Sequence, residues 1–366
     1  MIKKFDEVFV DKTRLGKKIP KEEYKKKGKY IIIDQGKDKI AGFTDNEDGI
    51  FTDVPTIIFG DHTRIIKYID KPFFLGADGV KVLKSKINNA NYKYLYYALK
   101  AAYIPNTGYN RHFKWLKKVS INYPSFEKQK RIVKLLDNLS EVKNKKNEEL
   151  KLCDTLIKAR FVEMFGDPMI KKDDRNLRKL KEICIINPKK NLASKFSNDI
   201  EVSFVPMSSV SEQGDIDVSQ RKNYSEVRKG FTYFAENDVL FAKITPCMEN
   251  GKGAIATGLI NGIGFGSTEF HILRPIKNIT NPYWIYVLTS FKSFRKLAEV
   301  NMTGSAGQRR VPATFLKDYE VRLPPIELQN EFASFVQQVD KSKVAIQKSL
   351  DETQTLFDSL MQKYFS

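Results

Sequence analysis

Short clusters of lysine, arginine, asparagine and glutamine carry the side chains of this sequence that are best suited to recognition chemistry. Several stand beside Gly, Ser or Asn, which is typical of exposed loops. Lysine and arginine reach phosphate oxygens, and Arg, Asn and Gln carry donors and acceptors that match guanine and adenine edges. The residues predicted to bind DNA are Lys17, Lys18, Lys26, Arg64, Asn110, Arg111, His112, Lys114, Arg221, Lys222, Lys243, Ser305, Gln308, Arg309 and Arg310.

Two of these clusters favour DNA contact more than the others. TGYNRHFKW (107–115) and TGSAGQRRVP (303–312) occupy the same place in the two halves of an internal repeat. The chain has 63 Lys+Arg against 44 Asp+Glu, and the resulting net charge of +19 attracts polyanions. Charge alone does not separate DNA from RNA or an acidic membrane. A solvated surface remains the alternative for each cluster, above all for lysine runs.

Candidate catalytic motifs do not fit their sequence context. Asn281-Pro282-Tyr283-Trp284 is similar to the Asn-Pro-Pro-Tyr loop of amino-methyltransferases, but a helix cap followed by proline explains it better. The glycines of 262–266 precede a strand instead of opening a helix, and Gly251-Lys252-Gly253 lacks the rest of a phosphate-binding loop. The three histidines, His62, His112 and His271, are not spaced as the ligands of a metal site would be. We therefore predict a non-catalytic chain without metal or cofactor.

Cysteine content and hydropathy indicate a cytoplasmic protein. Cys153, Cys184 and Cys247 are far apart and form no CxxC pair, so reduced thiols are expected. No apolar run approaches the roughly 18–20 residues of a membrane span. The first residues, MIKKFDEVFV, lack the apolar segment of a secretory signal. We therefore expect a cytoplasmic location and no membrane partner.

The elements that must position these loops occur twice along the chain. INYPSFEKQKRIVKLL (121–136) and VRLPPIELQNEFASFV (321–336) share Pro, Glu three residues later and Gln two residues after that. A shift of 200 residues aligns 115–165 with 315–365 without a gap, and a shift of 190 relates parts of the segments upstream. The sequence therefore predicts two copies of one unit, each a mixed β-rich globule followed by a long helix.

Apolar residues spaced by three and four predict the two long helices, 125–165 and 325–366. A helix of about 40 residues spans about 60 Å at about 1.5 Å per residue. Alone it would expose its apolar stripe, so we expect the two helices to pack on each other, with packing against a partner's helix as the alternative. The predicted pairing residues are Ile132, Leu135, Leu139, Leu156, Phe332, Phe335, Val339, Ile346 and Leu356.

Together these features make the chain resemble the DNA specificity subunit (S subunit) of type I restriction–modification systems. The resemblance covers essentially the whole chain. It rests on the Pro-x-x-Glu-x-Gln helix openings, on ARFVEMFGDP (159–168) and on the TG…FLKDYEVRLPP run (303–325). IIFGDHTR (57–64), FAKITPCMENGK (241–252) and GSTEFHILRP (266–275) are similar to parts of that family's target recognition domains.

The resemblance implies an α+β fold with an internal pseudo-two-fold repeat. Two mixed β-rich target recognition domains, 1–124 and 166–324, would be separated by a central spacer helix, 125–165, and a C-terminal spacer helix, 325–366. These helices would pair as an antiparallel coiled coil. Each domain would read one half of a bipartite site in double-stranded DNA, and the helices would set the distance between the halves. Because the two globules share little sequence, their half-sites should differ.

The same resemblance implies partners. Two modification (methyltransferase) subunits would dock on the chain and supply S-adenosylmethionine and adenine methylation. Systems with restriction (translocase/nuclease) subunits would add two of these. Two alternatives stay open: a basic coiled-coil scaffold that does not read sequence, and the recognition part of a fused restriction–methylation enzyme. The second alternative requires a methyltransferase region, for which this chain has no room.

Overall fold

The computed structural model describes residues 1–76, 78–168, 177–189, 199–305 and 307–365. The chain forms two compact units, which consist of Met1–Asn147 with Lys348–Ser366 and of Glu148–Gln347. Each unit contains one β-rich globule and part of each of two long helices. Within the described ranges, no helix is both long and apolar enough to cross a membrane.

The first unit is built largely from short strands, in agreement with the predicted β-rich globule. Runs such as TIIFG form strands because β-branched and aromatic residues suit a pleated, buried surface, and all five of these residues are buried. Its elements are β1 (Ile2–Lys4), α1 (Phe5–Val8), β2 (Phe9–Asp11), β3 (Tyr30–Ile33), β4 (Gly42–Thr44), β5 (Thr56–Gly60), β6 (Ile66–Ile69), β7 (Phe73–Leu75), β8 (Val80–Ser85), α2 (Tyr92–Ala101), α3 (Phe113–Leu116), β9 (Ser120–Asn122) and the start of α4 (Phe126–Phe165).

The second unit contains the remaining elements. They are β10 (Leu177–Lys179), α5 (Leu180–Ile183), β11 (Cys184–Ile186), β12 (Glu201–Val205), β13 (Arg221–Asn223), α6 (Tyr224–Val227), β14 (Thr232–Ala235), β15 (Val239–Ala242), β16 (Gly253–Ile255), β17 (Ile263–Gly266), β18 (Phe270–Pro275), α7 (Pro282–Ser290), α8 (Lys292–Val300), α9 (Ala313–Asp318), β19 (Glu320–Arg322), the end of α4 and the first part of α10 (Ile326–Phe365). Asn281 caps α7 by accepting the amide of Tyr283 at 2.9 Å. The cap interpretation of Asn281 and Pro282 is thus confirmed.

The sheets of the two units repeat one topology. The four-stranded sheet β2-β8-β5-β6 has the same order as β11-β18-β15-β16. The sheet β4-β3-β7 corresponds to β13-β12-β17, to which the second unit adds β14, and the pair β1-β9 corresponds to β10-β19. In both copies the central pair, β3 with β7 and β12 with β17, is parallel. The duplication predicted from the sequence is therefore confirmed at the level of strand order.

In each unit, one end of α4 packs antiparallel against one end of α10. In the first unit, Ile132 and Leu136 share a core with Phe357 and Met361. In the second unit, Ile157 and Phe161 share a core with residues that include Phe332, Val336 and Val339. Ion pairs follow the same antiparallel course, with Lys343 bound to Asp154 at 2.9 Å and Arg160 to Glu331 at 3.2 Å.

The structure changes some of the predicted helix-pairing positions. Ile132, Phe332 and Val339 are buried, Leu139 and Phe335 pack partly buried against the cores, and Ile346 is half-buried. By contrast, Leu135, Leu156 and Leu356 are 44%, 51% and 50% exposed. Their immediate neighbours are buried instead, namely Leu136, Ile157 and Phe357. Each site has two adjacent apolar residues, and the spacing pattern did not decide which of the two faces inward.

Buried glutamines explain the Pro-x-x-Glu-x-Gln helix openings. The side-chain amides of Gln129 and Gln329 donate to the carbonyls of Pro124 and Pro324, at 2.9 and 2.8 Å. Both glutamines are almost fully buried. Gln329 also accepts the backbone amide of Asn281 at 2.9 Å. The glutamine thus ties the first turn of each long helix back to the residues that follow the preceding strand.

Candidate nucleic-acid interface

Three loops of the first unit bring several predicted DNA-binding residues together. They follow β5 (61–64), join β7 to β8, and precede α3 (104–112). Arg64 donates from Nη1 to the carbonyl of Ile104 at 3.1 Å, which joins the first loop to the third. The hydrogen bond from Lys18, and to a smaller extent the charge of Arg111, lower the pKa of Asp78 in the second loop. We call Lys18, Arg64, Asn110 and Arg111 the first basic surface.

An exposed tyrosine projects from the same loops. The ring of Tyr109 is stacked on that of His62, with 4.9 Å between centroids and 11° between planes. Tyr109 is 89% exposed, and it follows Gly108, whose φ of 75° is readily adopted only without a side chain. The sequence prediction did not include Tyr109 or His62. The stack places an aromatic face beside Asn110 and Arg111.

His112 corrects the sequence prediction. It was expected to contact DNA, but it is fully buried. Its Nδ1 lies 3.0 Å from the carbonyl oxygen of Asp61, an arrangement that requires the proton on Nδ1. Its Nε2 lies 3.3 Å from the hydroxyl of Thr107. The backbone amide of the next residue, Phe113, donates a hydrogen bond to the carboxylate of Asp61 at 2.7 Å. His112 therefore holds the 104–112 loop on the globule from inside.

The other predicted lysines of the first unit lie apart from these contacts or are already paired. Lys17 forms an ion pair with Asp48 at 3.2 Å. Lys26 is exposed next to Lys25, which pairs with the segment around Phe43. Lys114 lies on α3 with its ammonium 5.6 Å from the centre of the Trp115 ring.

The equivalent three loops of the second unit also gather predicted residues. They follow β15 (243–252), join β17 to β18 (267–269), and precede α9 (303–312). The amide of Lys243 donates to the carbonyl of Glu269, and its own carbonyl accepts from Val311, both at 2.9 Å. Thr303 and Arg310 exchange two backbone hydrogen bonds that close the third loop. We call Lys243, Ser305, Gln308, Arg309 and Arg310 the second basic surface.

The two arginines of this surface have different surroundings. Arg310 binds Glu269 through Nε at 2.9 Å and through Nη2 at 2.8 Å. This hydrogen bonding, opposed by some desolvation, lowers the pKa of Glu269. Arg309 forms longer ion pairs, 4.0 Å from Glu249 and 3.9 Å from Glu299. Arg310 is therefore fixed in direction, whereas Arg309 is held loosely.

A buried arginine fixes the loop after β15. Arg295 is 5% exposed, and its guanidinium lies 4.2 Å from the centre of the Phe241 ring. Burial lowers the pKa of Arg295 to about 10. It donates at 2.7 to 3.3 Å to the backbone carbonyls of Met248, Gly251, Lys252 and Thr289. These bonds satisfy a charge that would otherwise be costly to bury, and they define the shape of the 248–252 segment.

Arg221 and Lys222 lie on β13, in the other sheet of the second unit. Arg221 is exposed and lies 3.5 Å from Glu201. The ammonium of Lys222 is held over the rings of Phe204 and Phe231, at 4.4 and 5.8 Å from their centres. Within the described ranges, no hydrogen bond or ion pair joins Arg221 or Lys222 to the second basic surface.

The side chains of both surfaces are suited to a nucleic acid, which has a charged phosphate backbone and base edges that form hydrogen bonds. Arginine, asparagine and glutamine donors stand beside lysines that can reach phosphates. In the described ranges, no group of three or more His, Cys, Asp or Glu residues could hold a metal ion. Carboxylates pair with these basic residues, above all Asp78, Glu249 and Glu269, and the residue types alone did not predict this pairing. Glu269 lies in GSTEFHILRP, one of the stretches that are similar to target recognition domains, and its position there is the signal that could have indicated a role.

Residues 1–152 and 172–353 match the family described as "Type I restriction modification DNA specificity domain". The chain belongs to this family. It is 40% identical over 189 residues to the type I restriction enzyme EcoAI specificity subunit, and 38% identical over 187 residues to the EcoEI specificity subunit, both from Escherichia coli. Each match covers 50% of this chain and 31% of the relative, so the chain matches about a third of the length of these relatives.

A solved structure has the same fold. It is the S subunit of a type I restriction–modification system from M. genitalium, with 17% sequence identity and a TM-score of 0.56. The similarity covers 100% of this chain and 96% of that chain. The α+β architecture with two β-rich domains and two long helices is therefore that of an S subunit.

Proposed function

We propose that the chain is the sequence-specific DNA-binding subunit of a type I restriction–modification complex. Each globule would contact one half of a bipartite duplex site. The observation that supports this most is the placement of the two basic surfaces. Both draw basic residues from the same two loops of the duplicated fold, after β5 or β15 and before α3 or α9, and the loop before β8 or β18 supplies a carboxylate that binds one basic residue of each surface. A chance distribution of lysine would not favour the same loops twice.

Within each surface, residue chemistry suggests a division of labour. Arg64, Asn110 and Arg111 of the first unit, and Gln308 and Arg310 of the second, have side chains that can read base edges. Lys243 and Arg309 suit phosphate contacts, which fix register and add salt-dependent affinity. His112 has no direct role, since it is buried. Its contribution is to hold the loop that presents its neighbours.

The long helices would set the spacing between the half-sites and dock the partners. In this proposal, 1–124 and 166–324 are the target recognition domains, and 125–165 and 325–366 are the spacer helices. The helices expose apolar side chains that a partner could cover, among them Leu135, Leu152, Leu156, Val344 and Leu356. Two methyltransferase subunits would supply S-adenosylmethionine and adenine methylation, and restriction subunits would join where the system has them. This chain itself would not be catalytic.

The test is the pattern of DNA methylation in cells that contain this gene and an active methyltransferase partner. Single-molecule sequencing of genomic DNA should reveal a bipartite motif with methylated adenines. Deletion of the gene should abolish methylation at that motif, and its return on a plasmid should restore it. An unchanged methylation pattern after deletion, with the partner expressed and active, would refute the proposal.

An exchange of the first globule separates the proposal from a scaffold that does not read sequence. Residues 1–124 are replaced by the corresponding segment of another member of the family. We expect one half of the motif to change while the other half and the spacing stay the same. A motif that is unaffected by the exchange would favour the scaffold.

A further inference from the structure

The Glu269–Arg310 pair has an unusual place for an ion pair. It lies in the second basic surface, where a carboxylate would repel DNA phosphates. Glu269 precedes β18 and is linked to the loop after β15, since its carbonyl accepts the amide of Lys243 at 2.9 Å. Arg310 closes the 303–310 loop through two backbone hydrogen bonds with Thr303. Backbone hydrogen bonds therefore tie down both partners before any ligand is present.

The pair occupies one edge of the guanidinium and leaves another edge available. Nε and Nη2 of Arg310 donate to the carboxylate of Glu269, at 2.9 and 2.8 Å. Nη1 donates to the carbonyl of Gln308 at 3.0 Å. Because each terminal nitrogen carries two hydrogens, Nη1 and Nη2 each retain one after these bonds. The side chain of Arg310 is 42% exposed, so a ligand can reach the end of the fork.

We propose that Arg310 reads a guanine in the half-site of the second globule, and that Glu269 is the positioning residue that aims its guanidinium. This inference rests on the proposed function. Guanine O6 and N7 accept two hydrogen bonds from one arginine, and this contact distinguishes guanine from other bases in the major groove. A guanidinium that is already held by a carboxylate loses less side-chain freedom when it forms that contact.

Charge favours base reading over phosphate contact. The pair of Arg310 with Glu269 carries no net charge, so it would release few counterions from DNA. Arg309 next to it has ion pairs of 3.9 and 4.0 Å and can turn toward a phosphate. The corresponding β7–β8 loop of the first unit contains Asp78 bound to Lys18 instead. The arginine held by a carboxylate is therefore a feature of the second unit, and the proposed guanine contact is assigned to the second half-site alone.

The test compares pairs of DNA duplexes that differ at one base pair. The full chain is purified with its methyltransferase partner, and the motif is taken from the methylation pattern described above. Each G·C pair in the half assigned to the second globule is replaced in turn by A·T. The ratio of dissociation constants for the two duplexes measures discrimination, and a bidentate arginine contact should give about 5- to 150-fold.

Three variants distinguish recognition of a base by Arg310 from a general contribution of its positive charge to DNA affinity. Arg310→Lys keeps the positive charge but not the planar fork, so discrimination at one G·C pair should fall well below that of the unchanged chain. Glu269→Gln should lower discrimination at the same pair by a smaller factor, because a neutral amide holds the arginine less firmly. Arg178→Lys is the matched control, since Arg178 is exposed on β10 and lies outside both basic surfaces, and it should leave the discrimination ratio unchanged. Circular dichroism and thermal unfolding establish that each variant is folded.

Two results would overturn the inference while leaving the proposed function intact. One is an Arg310→Lys variant that keeps full discrimination at every G·C pair, or that weakens both duplexes equally. The other is a second half-site without any guanine on either strand. Failure of the proposed function has a different signature, because gene deletion would then leave the methylation pattern unchanged.

Discussion

Leu135 and Leu136 are adjacent leucines of α4 with opposite surroundings. Leu136 is fully buried in the core of the first unit with Phe357 and Met361, whereas Leu135 is 44% exposed. The same substitution to alanine at the two positions therefore measures which face of the helix carries the packing. Alanine keeps the helix intact, since its helix propensity is at least that of leucine.

The expected cost at each position follows from the buried surface. Leu136→Ala removes three buried carbon groups, about 2.4 kcal/mol at about 0.8 kcal/mol each. The cavity left in the core raises this to about 3–4 kcal/mol. At Leu135 roughly half of that transfer energy is at stake and no closed cavity forms, so about 1 kcal/mol is expected. The predicted difference is about 2–3 kcal/mol.

Differential scanning calorimetry of the full chain is the assay. For a domain of about 150–250 residues, 1 kcal/mol corresponds to about 2–4 °C in Tm. Leu136→Ala should lower the Tm of the first unit by about 6–16 °C, and Leu135→Ala by about 2–4 °C. Leu136→Met keeps the volume and should cost less than about 1.5 kcal/mol. Equal shifts for the two alanine variants, or a larger shift for Leu135→Ala, would refute the assigned packing face.

Three further predictions concern the second unit. Burial lowers the pKa of His271 below its ordinary 6.5. The imidazole therefore binds a proton more readily in the unfolded chain than in the folded chain. The free energy of unfolding should therefore fall as the pH drops below about 6.5, and His271→Gln should lack this component in urea titrations at several pH values. Asp238→Asn removes the charge and one of the two oxygens that accept hydrogen bonds from Arg274, at 2.8 and 2.7 Å, in a side chain that is 1% exposed. Because Arg274 stays 28% exposed, the cost in urea unfolding should be about 2–3 kcal/mol, against at most about 1 kcal/mol for Asp318→Asn in an exposed ion pair. Burial raises the pKa of Cys184 to about 12, so at pH 8 a disulfide reagent should label the other two cysteines and leave Cys184 unreacted until denaturant is added.

The architecture could be predicted from the sequence because its main signals are periodic. Spacings of three and four predicted both long helices, and α4 and α10 span Phe126–Phe165 and Ile326–Phe365. The self-alignment at 200 residues predicted the duplication that the sheet orders display. Periodicity failed where two apolar residues are adjacent, as in Leu156 and Ile157. A 3.6-residue period leaves the inward direction uncertain by about one residue, and the globule that covers the helix decides it.

Contacts between residues distant in sequence could not be predicted in the same way. His112 looked like part of an exposed basic loop, but the carbonyl of Asp61 binds its ring in the interior. Glu269 lies 41 residues from Arg310, and the two meet because β15 and β18 are neighbours and the 303–312 loop is bridged to Ile244. Residue type and spacing indicate which side chains could bind a ligand. Only the folded sheet determines which of them are aimed at it and which are used for support.

The net charge of the chain and the pairing within its loops point to two separate roles for the basic residues. A net charge of +19 attracts DNA from a distance and without regard to sequence. At close range Lys18 and Arg310 are each bound to a carboxylate, so these residues add little to that attraction. A protein selected for affinity alone would gain by replacing Asp78 and Glu269 with neutral residues. At Glu269 the carboxylate is better explained by selectivity, because an arginine that is paired in this way has one direction and matches few sequences. We therefore expect Glu269→Gln to increase the affinity of the chain for unrelated duplex DNA while it decreases discrimination at the second half-site. A decrease in affinity for unrelated DNA would show that Glu269 supports the loop as a whole instead of restraining Arg310.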